Sequence, residues 1–251
     1  MKANLLNIFQ KKNSPSYSVI NNPQGFKCLA FLSMLYLCIM LFNAILTNRY
    51  VGTNSLFVLG GTLTSPIVFL IDNIIAEIYG FKITRSIIFF SLIVQTIFVV
   101  LCQLIIQSPA PIFFHENNFY SKLLGTDLIR IHLSNCFAYV FAILINTKIL
   151  TQWKVLLKGK KFWLRSIGSN TIAEALYSFV AIILMELQAI PLTQIFKVLA
   201  ISYLIKLSYS IILAYPLQIT INIIRNTTGI DVYDFDYKFI PSKYYRIAQE
   251  F

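Results

Sequence analysis

The chain has 251 residues, of which 57% are hydrophobic and only 12% are charged, and its formal net charge is +11. Soluble domains carry roughly 25% charged residues, so this composition excludes an ordinary water-soluble fold and favours an integral membrane protein. A basic chain can bind nucleic acid, but that function requires basic residues gathered on one soluble face. Here they are divided among short loops, so we expect no direct contact with nucleic acid.

A polar N-terminal segment, residues 1–27, precedes six apolar stretches that each approach or exceed the length needed to cross a bilayer, about 20 residues. The predicted spans are residues 29–46, 55–76, 86–106, 131–150, 167–187 and 198–222. No small-residue cleavage site follows the first of them, so it is expected to stay as a helix. The sequence therefore predicts an all-α integral membrane protein, with one six-helix domain over residues 28–225 and a tail over residues 226–251.

The second predicted span is irregular, because Gly60, Gly61 and Pro66 interrupt it. We expect a broken or kinked helix there. Non-helical backbone at membrane depth is tolerated where protein or a water-filled cavity satisfies its polar groups, and transporters often place substrate at such breaks. A proline kink filled by neighbouring side chains is the alternative interpretation.

Lysines and arginines alternate between the two sides of these spans. Most fall in the terminal segments and in the loops after the second and fourth spans, whereas the other loops hold Arg49, Lys122, Arg130 and Lys197. Because positive charge in short loops is kept on the cytoplasmic side, both termini are predicted to be cytoplasmic. This topology accounts for the excess of positive charge. The longest connection between spans, residues 107–129, then faces the other side.

The cysteines give no sign of a metal or redox centre. Cys28, Cys38, Cys102 and Cys136 lie in or beside predicted spans, without a Cys-x-x-Cys pair or a nearby histidine cluster. We therefore expect no metal, no cofactor and no disulfide framework.

Three ionisable residues lie inside predicted spans, where a charge is costly and usually functional. They are Asp72 in the second span, Glu174 in the fifth and Lys206 in the sixth, whereas Glu77 is expected to reach the headgroups. Polar residues at helical spacing accompany them: Asn43 and Thr47; Asn135, Tyr139 and Asn146; Asn170, Tyr177 and Ser178; Ser202, Tyr209 and Ser210. Interhelical hydrogen bonds explain isolated polar residues, but two acids and a lysine together favour a binding site. Carboxylates, amides and aromatic rings suit a planar heterocycle that is both hydrogen-bonded and stacked.

Three early segments carry a resemblance to a known family. They are FNAILTNRYVG at residues 42–52, SPIVFLIDNIIAEIYG at residues 65–80 and TRSIIF at residues 84–89. In this order they resemble the opening pattern of the queuosine precursor transporter family, also called YhhQ-like or vitamin uptake transporters.

The later segments agree with this pattern: RIHLSNCFAYVFAILIN at residues 130–146, WKVLLKGKKFWLRSIGSNTIAEALYSF at residues 153–179 and SYLIKLSYSIILAYP at residues 202–216. The similarity covers residues 29–236. It implies a multi-pass transporter of the cell inner membrane that imports a 7-deazaguanine, namely 7-cyano-7-deazaguanine or 7-aminomethyl-7-deazaguanine, or queuine, for salvage into tRNA.

The resemblance also gives the polar residues their expected roles. Asp72 and Glu174 would bind the polar edge of the deazaguanine, and Lys206 would balance charge or contact the ring carbonyl. The remaining polar shell is expected from Asn43, Asn48, Arg130, Asn146 and Tyr177. The family's fourth span usually has Gln at the position of Ile143 and often Asp at the position of Asn146, which leaves the choice of substrate and the energy coupling open.

Two other functions compete with this one. The chain could be a substrate-binding membrane subunit of a larger energised vitamin importer, since it has no nucleotide-binding loop of its own. An intramembrane enzyme is disfavoured, because no hydrolase motif is present and His115 and His132 are the only histidines. Proton coupling and metabolic trapping of the imported base are both compatible with the sequence. A homodimer also stays open, although no Gly-x-x-x-Gly motif marks a face for it.

Overall fold

The computed structural model describes residues 22–53, 56–111, 114–186 and 190–233. Within these ranges the elements are α1 (Pro23–Leu46), β1 (Tyr50–Gly52), β2 (Phe57–Leu59), α2 (Gly61–Ile106), α3 (Asn117–Leu124), α4 (Thr126–Leu156), α5 (Phe162–Glu186) and α6 (Leu192–Thr228). The predicted all-α membrane fold is confirmed, because α1, α2, α4, α5 and α6 are all long and apolar enough to cross a membrane. Most of the N-terminal segment 1–27 and of the tail 226–251 lies outside the described residues, as do the predicted span ends at Ser55 and Leu187.

Helix α2 is interrupted at Gly80, whose φ of 81° and ψ of 171° are not helical. Only glycine adopts this combination readily. Ser65 lies fifteen residues before Gly80 and Gln95 fifteen residues after it, yet both line the same pocket. The chain therefore folds back at Gly80, and the first half of α2, residues 61–79, runs alongside the second half, residues 81–106.

The break is thus one helix length away from the predicted position. Gly60 precedes the helix and Gly61 is its first residue, while the backbone stays helical through Pro66. Pro66 is the sixth residue of the helix and has no N–H to donate to the carbonyl of Thr62, four residues earlier, but the loss of this one hydrogen bond does not end the helix. The predicted break inside the second span, residues 55–76, is therefore wrong, because the non-helical residue Gly80 lies in the connection to the next predicted span.

The connection between residues 107 and 129 is not a plain loop. It contains α3, and α4 already begins at Thr126, five residues before the predicted fourth span. On the preceding side, β1 and β2 form a short antiparallel hairpin in which Val51 pairs with Val58. Tyr50 of this hairpin donates its hydroxyl proton to Glu186 Oε2 at 2.5 Å. Burial, together with this hydrogen bond, raises the pKa of the Tyr50 phenol.

The first half of α2 is the central element of the bundle, and every residue from Val68 to Phe81 is buried. Helices α1, α4 and α6 all pack against α2, and α5 packs between α4 and α6. The outer surface is apolar, as shown by Phe90, Ile105 and Ile212, which are 67%, 73% and 71% exposed. A bundle with polar residues inside and apolar residues outside matches a lipid environment.

Several connections meet at each end of the bundle. At the end that we name the Gly80 end, Tyr79 donates to the carbonyl of Gly25 at 2.9 Å, and the amide of Val232 donates to the carbonyl of Ile78 at 3.0 Å. The start of α1, the break in α2 and the segment after α6 therefore lie together. The opposite end, named the hairpin end, holds β1, β2 and α3.

Candidate functional site

Polar side chains run through the interior of the bundle without exposure to solvent. The fully buried ones, with 0% exposure, are Asp72, Asn73, Glu77, Asn146, Thr147, Arg165, Ser166, Ser169, Asn170, Glu174, Ser178 and Ser202. Buried polar groups in lipid-embedded proteins are either hydrogen-bonded to one another or line a route for a polar solute. Their contacts divide this set into a hydrogen-bonded chain and an ion-pair cluster.

Asp72 lies in the first half of α2 and faces α4. Its Oδ2 atom accepts a hydrogen bond from Thr147 Oγ1 at 2.9 Å and a longer one from Asn146 Nδ2 at 3.4 Å. Thr147 and Asn146 are adjacent on α4, so one turn of that helix holds the carboxylate. Asp72 and Asn146, which were both predicted as substrate-binding residues, are thus in contact with each other.

A chain of hydrogen bonds, which we name the amide chain, leads from Asn146 to Glu174. Asn146 Nδ2 donates to Asn73 Oδ1 at 2.8 Å, and Asn73 Nδ2 donates to Asn170 Oδ1 at 2.9 Å. Asn170 Nδ2 then donates to Ser210 Oγ at 3.0 Å, and Ser210 Oγ donates to Glu174 Oε1 at 3.4 Å. All four bonds point towards Glu174, and hydrogen bonds aligned in this way polarise one another.

Each end of the amide chain carries an oxygen atom with free hydrogen-bonding capacity. Asp72 Oδ1, Asn146 Oδ1 and Glu174 Oε2 are buried and have no hydrogen-bond partner among the described residues. An ionised carboxylate accepts hydrogen bonds only, so these oxygens call for a donor. The arrangement can bind a solute that presents N–H groups.

Lys206 on α6 lies beside Glu174 and Tyr177 of α5. Its Nζ atom donates to Ser178 Oγ at 2.8 Å and is 4.5 Å from the centre of the Tyr177 ring, within range of a cation–π interaction. The charges of Lys206 and Glu174 are close enough to interact, although no contact ion pair joins them in the described part of the chain. Nζ therefore has donor capacity left over.

Tyr177 separates two pockets. The tyrosine pocket, about 320 Å³ including its open mouth, is lined by Met40, Asn43, Ser65, Val68, Leu92, Gln95, Asn135, Tyr139 and Tyr177. The lysine pocket, about 260 Å³ on the same measure, is lined by Thr47, Leu59, Gly61, Thr62, Ser65, Tyr177, Ala181, Ile182, Met185 and Lys206. Both pockets lie on the hairpin side of Asp72, since Ser65 precedes it by about two helical turns.

Two predicted residues lie away from this interior. Asn48 donates to the backbone carbonyls of Lys122 and Leu123, at 3.1 and 3.2 Å, and so fastens α3 to the end of α1. Arg130 pairs with Asp127 at 3.5 Å, and its side chain is 39% exposed. Both lie at the hairpin end, whereas Asn43 lines the tyrosine pocket with its Oδ1 atom hydrogen-bonded to Thr64 at 2.7 Å.

The expectation that Glu77 reaches the headgroups is wrong. Glu77 is fully buried and accepts a bidentate pair of hydrogen bonds from Arg165, a further bond from Arg225 and the charge of Lys154 at 3.9 Å. Asp231 offsets part of the extra positive charge through contacts to Lys154 and Arg225. We name these five residues the Glu77 cluster; it ties α2, α4, α5 and α6 together at the Gly80 end.

The amide chain also contains a residue that the sequence analysis passed over. Asn73 makes three hydrogen bonds to two neighbouring helices, because besides Asn146 of α4 and Asn170 of α5 it also contacts Ser166 Oγ of α5, to which it donates at 2.9 Å. A signal was present in the sequence, since Asn73 and Glu77 are four residues apart and therefore share a helix face. Gln95 gave a weaker signal, a single amide in an otherwise apolar stretch.

The geometry agrees with the comparison to known proteins. No curated protein and no solved structure matches the chain. A family model described as "Putative vitamin uptake transporter" matches residues 59–221, which include Asp72, the whole amide chain and both Glu174 and Lys206. The predicted transporter role is confirmed by this match, and so is the prediction that the protein is not an enzyme. This multi-pass membrane protein with a small-molecule substrate belongs to the vitamin uptake transporter family, which includes the YhhQ-like queuosine precursor transporters.

Proposed function

We propose that this protein crosses the cell inner membrane six times, with both termini in the cytoplasm, and imports a queuosine precursor. The 46 residues of α2 would extend about 69 Å as one straight helix. The hydrocarbon core is only about 30 Å thick. Residues 61–79 alone extend about 28 Å, so each half of α2 serves as one span and the five long helices provide six crossings.

The orientation follows from the charges at the Gly80 end. Lys82 and Arg85 follow the break in α2, and the turn between α4 and α5 holds Lys158, Lys160 and Lys161. Positive residues in short connections are kept on the cytoplasmic side. The Gly80 end would therefore face the cytoplasm, and the hairpin end would receive the solute from outside.

The observation that carries the proposed substrate is the pair of buried acids at the two ends of the amide chain. Asp72 and Glu174 each retain an oxygen without a partner in the described ranges. A 7-deazaguanine presents a ring N–H and an exocyclic amine on one edge, and both can donate to a single carboxylate. Its ring carbonyl can in turn accept a hydrogen bond from Lys206 Nζ. Charge and hydrogen-bonding pattern thus support a solute of this kind.

Three precursors share this edge: 7-cyano-7-deazaguanine, 7-aminomethyl-7-deazaguanine and queuine. They differ in the substituent on ring position 7, which the two acids would not contact in this arrangement. Ile143 is fully buried beside the polar interior and offers no hydrogen bond. We therefore propose the common deazaguanine edge as the recognised feature for all three.

The test is to measure queuosine in tRNA from a strain that can neither synthesise nor import precursors and that expresses this chain. Each precursor is supplied separately at nanomolar concentration. Restored queuosine would support import and identify the substrate. If modification stays absent although the protein is present in the membrane, the proposed substrate is wrong.

The same assay distinguishes the runner-up function. In a host that lacks candidate energising subunits, a self-sufficient transporter restores queuosine, whereas a substrate-binding subunit of a larger importer does not. Restoration only after such a subunit is supplied would assign the chain to the second class.

A further inference from the structure

The tyrosine pocket contains three polar atoms that the amide chain does not use. Ser65 Oγ, Gln95 Oε1 and Asn135 Nδ2 have no hydrogen-bond partner within the part of the chain that the structure describes. Their residues are only 4%, 2% and 6% exposed, and all three line the same pocket. A buried polar atom without a partner is unfavourable, so three of them around one cavity indicate a site for a polar ligand.

The orientation of both amide groups follows from their other hydrogen bonds. The backbone carbonyl of Met40 can only accept, and Gln95 Nε2 donates to it at 3.3 Å, which leaves Gln95 with a free acceptor. Tyr177 donates its hydroxyl proton to Asn135 Oδ1 at 2.6 Å, which leaves Asn135 with a free donor. The pocket thus offers one acceptor from the second half of α2 and one donor from α4.

We propose that Gln95 and Asn135 bind the lactam edge of a planar heterocycle, in which an N–H group stands next to a carbonyl group. The ring N–H would donate to Gln95 Oε1, and the ring carbonyl would accept from Asn135 Nδ2. The hydroxyl of Ser65 can donate or accept, so it would pair with a third ring atom. The proposal takes a deazaguanine as the natural ligand and in that respect rests on the proposed function.

Aromatic rings complete the site. Tyr139 and Tyr177 line the pocket with their ring centres 6.1 Å apart, and Phe69 packs edge-on against both of them. A flat heterocycle can pack against such rings while its edge is hydrogen-bonded. Met40 and Val68 supply the apolar part of the wall.

This lactam site is separate from the two acids. Ser65 precedes Asp72 by seven residues, which corresponds to about 10 Å along α2 towards the hairpin end. The lactam site is also neutral, whereas the amide chain ends in carboxylates. The lactam site needs only the ring N–H and the ring carbonyl of a ligand, whereas a carboxylate can also accept from the exocyclic amine. The exocyclic amine therefore distinguishes the two sites.

Two simple probes test the lactam site on the wild-type protein in lipid nanodiscs. Labelled 7-deazahypoxanthine has the lactam edge without the exocyclic amine, and 7-deazaadenine has the reverse order of donor and acceptor. We expect 7-deazahypoxanthine to bind and 7-deazaadenine to bind at least about tenfold more weakly, or about 1.4 kcal/mol. Equal binding of the two, or no binding of 7-deazahypoxanthine, would overturn the lactam site without any variant.

Variants locate the binding. Gln95→Met and Asn135→Leu keep size but lose the amide, so each is expected to weaken 7-deazahypoxanthine binding about tenfold. Gln103→Met is the matched control, because Gln103 lies on the same half of α2 and, among the described residues, donates only to the carbonyls of Leu124 and Gly125.

The same samples separate the two proposals. In one outcome, wild type binds labelled 7-cyano-7-deazaguanine, but the variants Gln95→Met and Asn135→Leu bind 7-deazahypoxanthine as tightly as wild type does. Only the lactam site is then wrong. If Gln95→Met and Asn135→Leu weaken 7-deazahypoxanthine binding but wild type does not bind 7-cyano-7-deazaguanine, the lactam site stands and the proposed precursor is wrong.

Discussion

Arg165 places its two terminal guanidinium nitrogens on the two carboxylate oxygens of Glu77, with Nη1–Oε2 at 2.8 Å and Nη2–Oε1 at 2.9 Å. Neither side chain has any exposure. A guanidinium matches a carboxylate in this planar geometry, which a lysine cannot reproduce. The pair connects the first half of α2 to the first turn of α5, so the Gly80 end is held by charge rather than by apolar packing alone.

Arg165→Met should destabilise the protein, because it removes the bidentate partner of a buried carboxylate. Breaking a buried ion pair in this way costs about 3 to 5 kcal/mol, and the remaining contacts from Arg225 and Lys154 place the expected loss near the lower value. Arg165→Lys should recover part of it. The measurement is the thermal unfolding midpoint in detergent together with the amount of protein in the membrane.

Arg85→Met is the matched control for this experiment. Arg85 is exposed at the same end of the bundle and contacts only the ring of Phe81, at 5.8 Å, among the interactions described. Its replacement should change the unfolding midpoint little. A midpoint for Arg165→Met equal to that of the control would show that the Glu77 cluster contributes no stability.

Glu174→Gln should impair uptake while leaving the protein level unchanged. The amide replaces one acceptor oxygen with an NH2 donor, so the group no longer offers a separate acceptor oxygen to each of two solute N–H groups. We expect at least a tenfold lower initial rate at limiting substrate, measured as queuosine formed in tRNA over time. Normal uptake by this variant would remove Glu174 from the binding site.

Glu186→Gln provides the comparison on the same helix. Glu186 is also buried but lies at the hairpin end, where it accepts a hydrogen bond from Tyr50. An amide oxygen can accept that bond as well, so uptake should remain close to wild type. The contrast between the two variants separates solute recognition from the general effect of losing a buried charge.

Asn73→Leu should lower the free energy of unfolding, because three hydrogen bonds end at this side chain. Asn146, Ser166 and Asn170 would each lose a partner at a buried position. An unsatisfied buried polar group costs about 1 to 3 kcal/mol, so a loss of about 3 kcal/mol is the minimum expected. Equilibrium unfolding in mixed detergent measures it, and Asn222→Leu, at an exposed position of α6, should give almost no change. Similar values for the two variants would contradict the amide chain as a stabilising network.

The sequence predicted the helices and the polar interior because both leave a periodic pattern. Asp72, Glu174 and Lys206 stood out as charges within apolar stretches, and the structure places Asp72 and Glu174 at the two ends of one hydrogen-bonded chain with Lys206 beside Glu174. The surroundings of Glu77 were not predictable in the same way. Arg165 and Arg225 are far from Glu77 in the sequence, and only the packing of α5 and α6 brings their charges to it.

The two predicted site residues that lie outside the polar interior show the same limit of prediction from the sequence. Asn48 and Arg130 belong to segments that resemble the family, but a segment match gives no information on which way a side chain faces at the end of a helix. In the structure, Asn48 donates a hydrogen bond to a backbone carbonyl of α3, and Arg130 forms a salt bridge with Asp127. Likewise, the break in the helix was predicted at Gly60, Gly61 and Pro66 and not at Gly80. Glycine and proline indicate possible breaks in a sequence, but they do not show which residue has a non-helical backbone.

Gly80→Ala therefore tests the fold of α2 directly. The φ of 81° and ψ of 171° at this residue are strained for any side chain, and such backbone strain costs about 1 to 3 kcal/mol. Because Gly80 is also buried, the added methyl group has to be accommodated within the Gly80 end. We expect a lower unfolding midpoint and reduced uptake, since the two halves of α2 must lie side by side to form the tyrosine pocket.

Gly229→Ala separates backbone strain from burial. Gly229 ends α6 with a φ of 66°, but no residue that the structure describes lies within 4 Å of the position that a methyl group would take. The left-handed conformation alone costs an L-residue roughly 1 to 2 kcal/mol, so this variant should be destabilised moderately and should retain uptake. If Gly80→Ala unfolds at the same temperature as Gly229→Ala and transports equally well, the turn at Gly80 accepts a side chain, and the folding back of α2 does not depend on glycine.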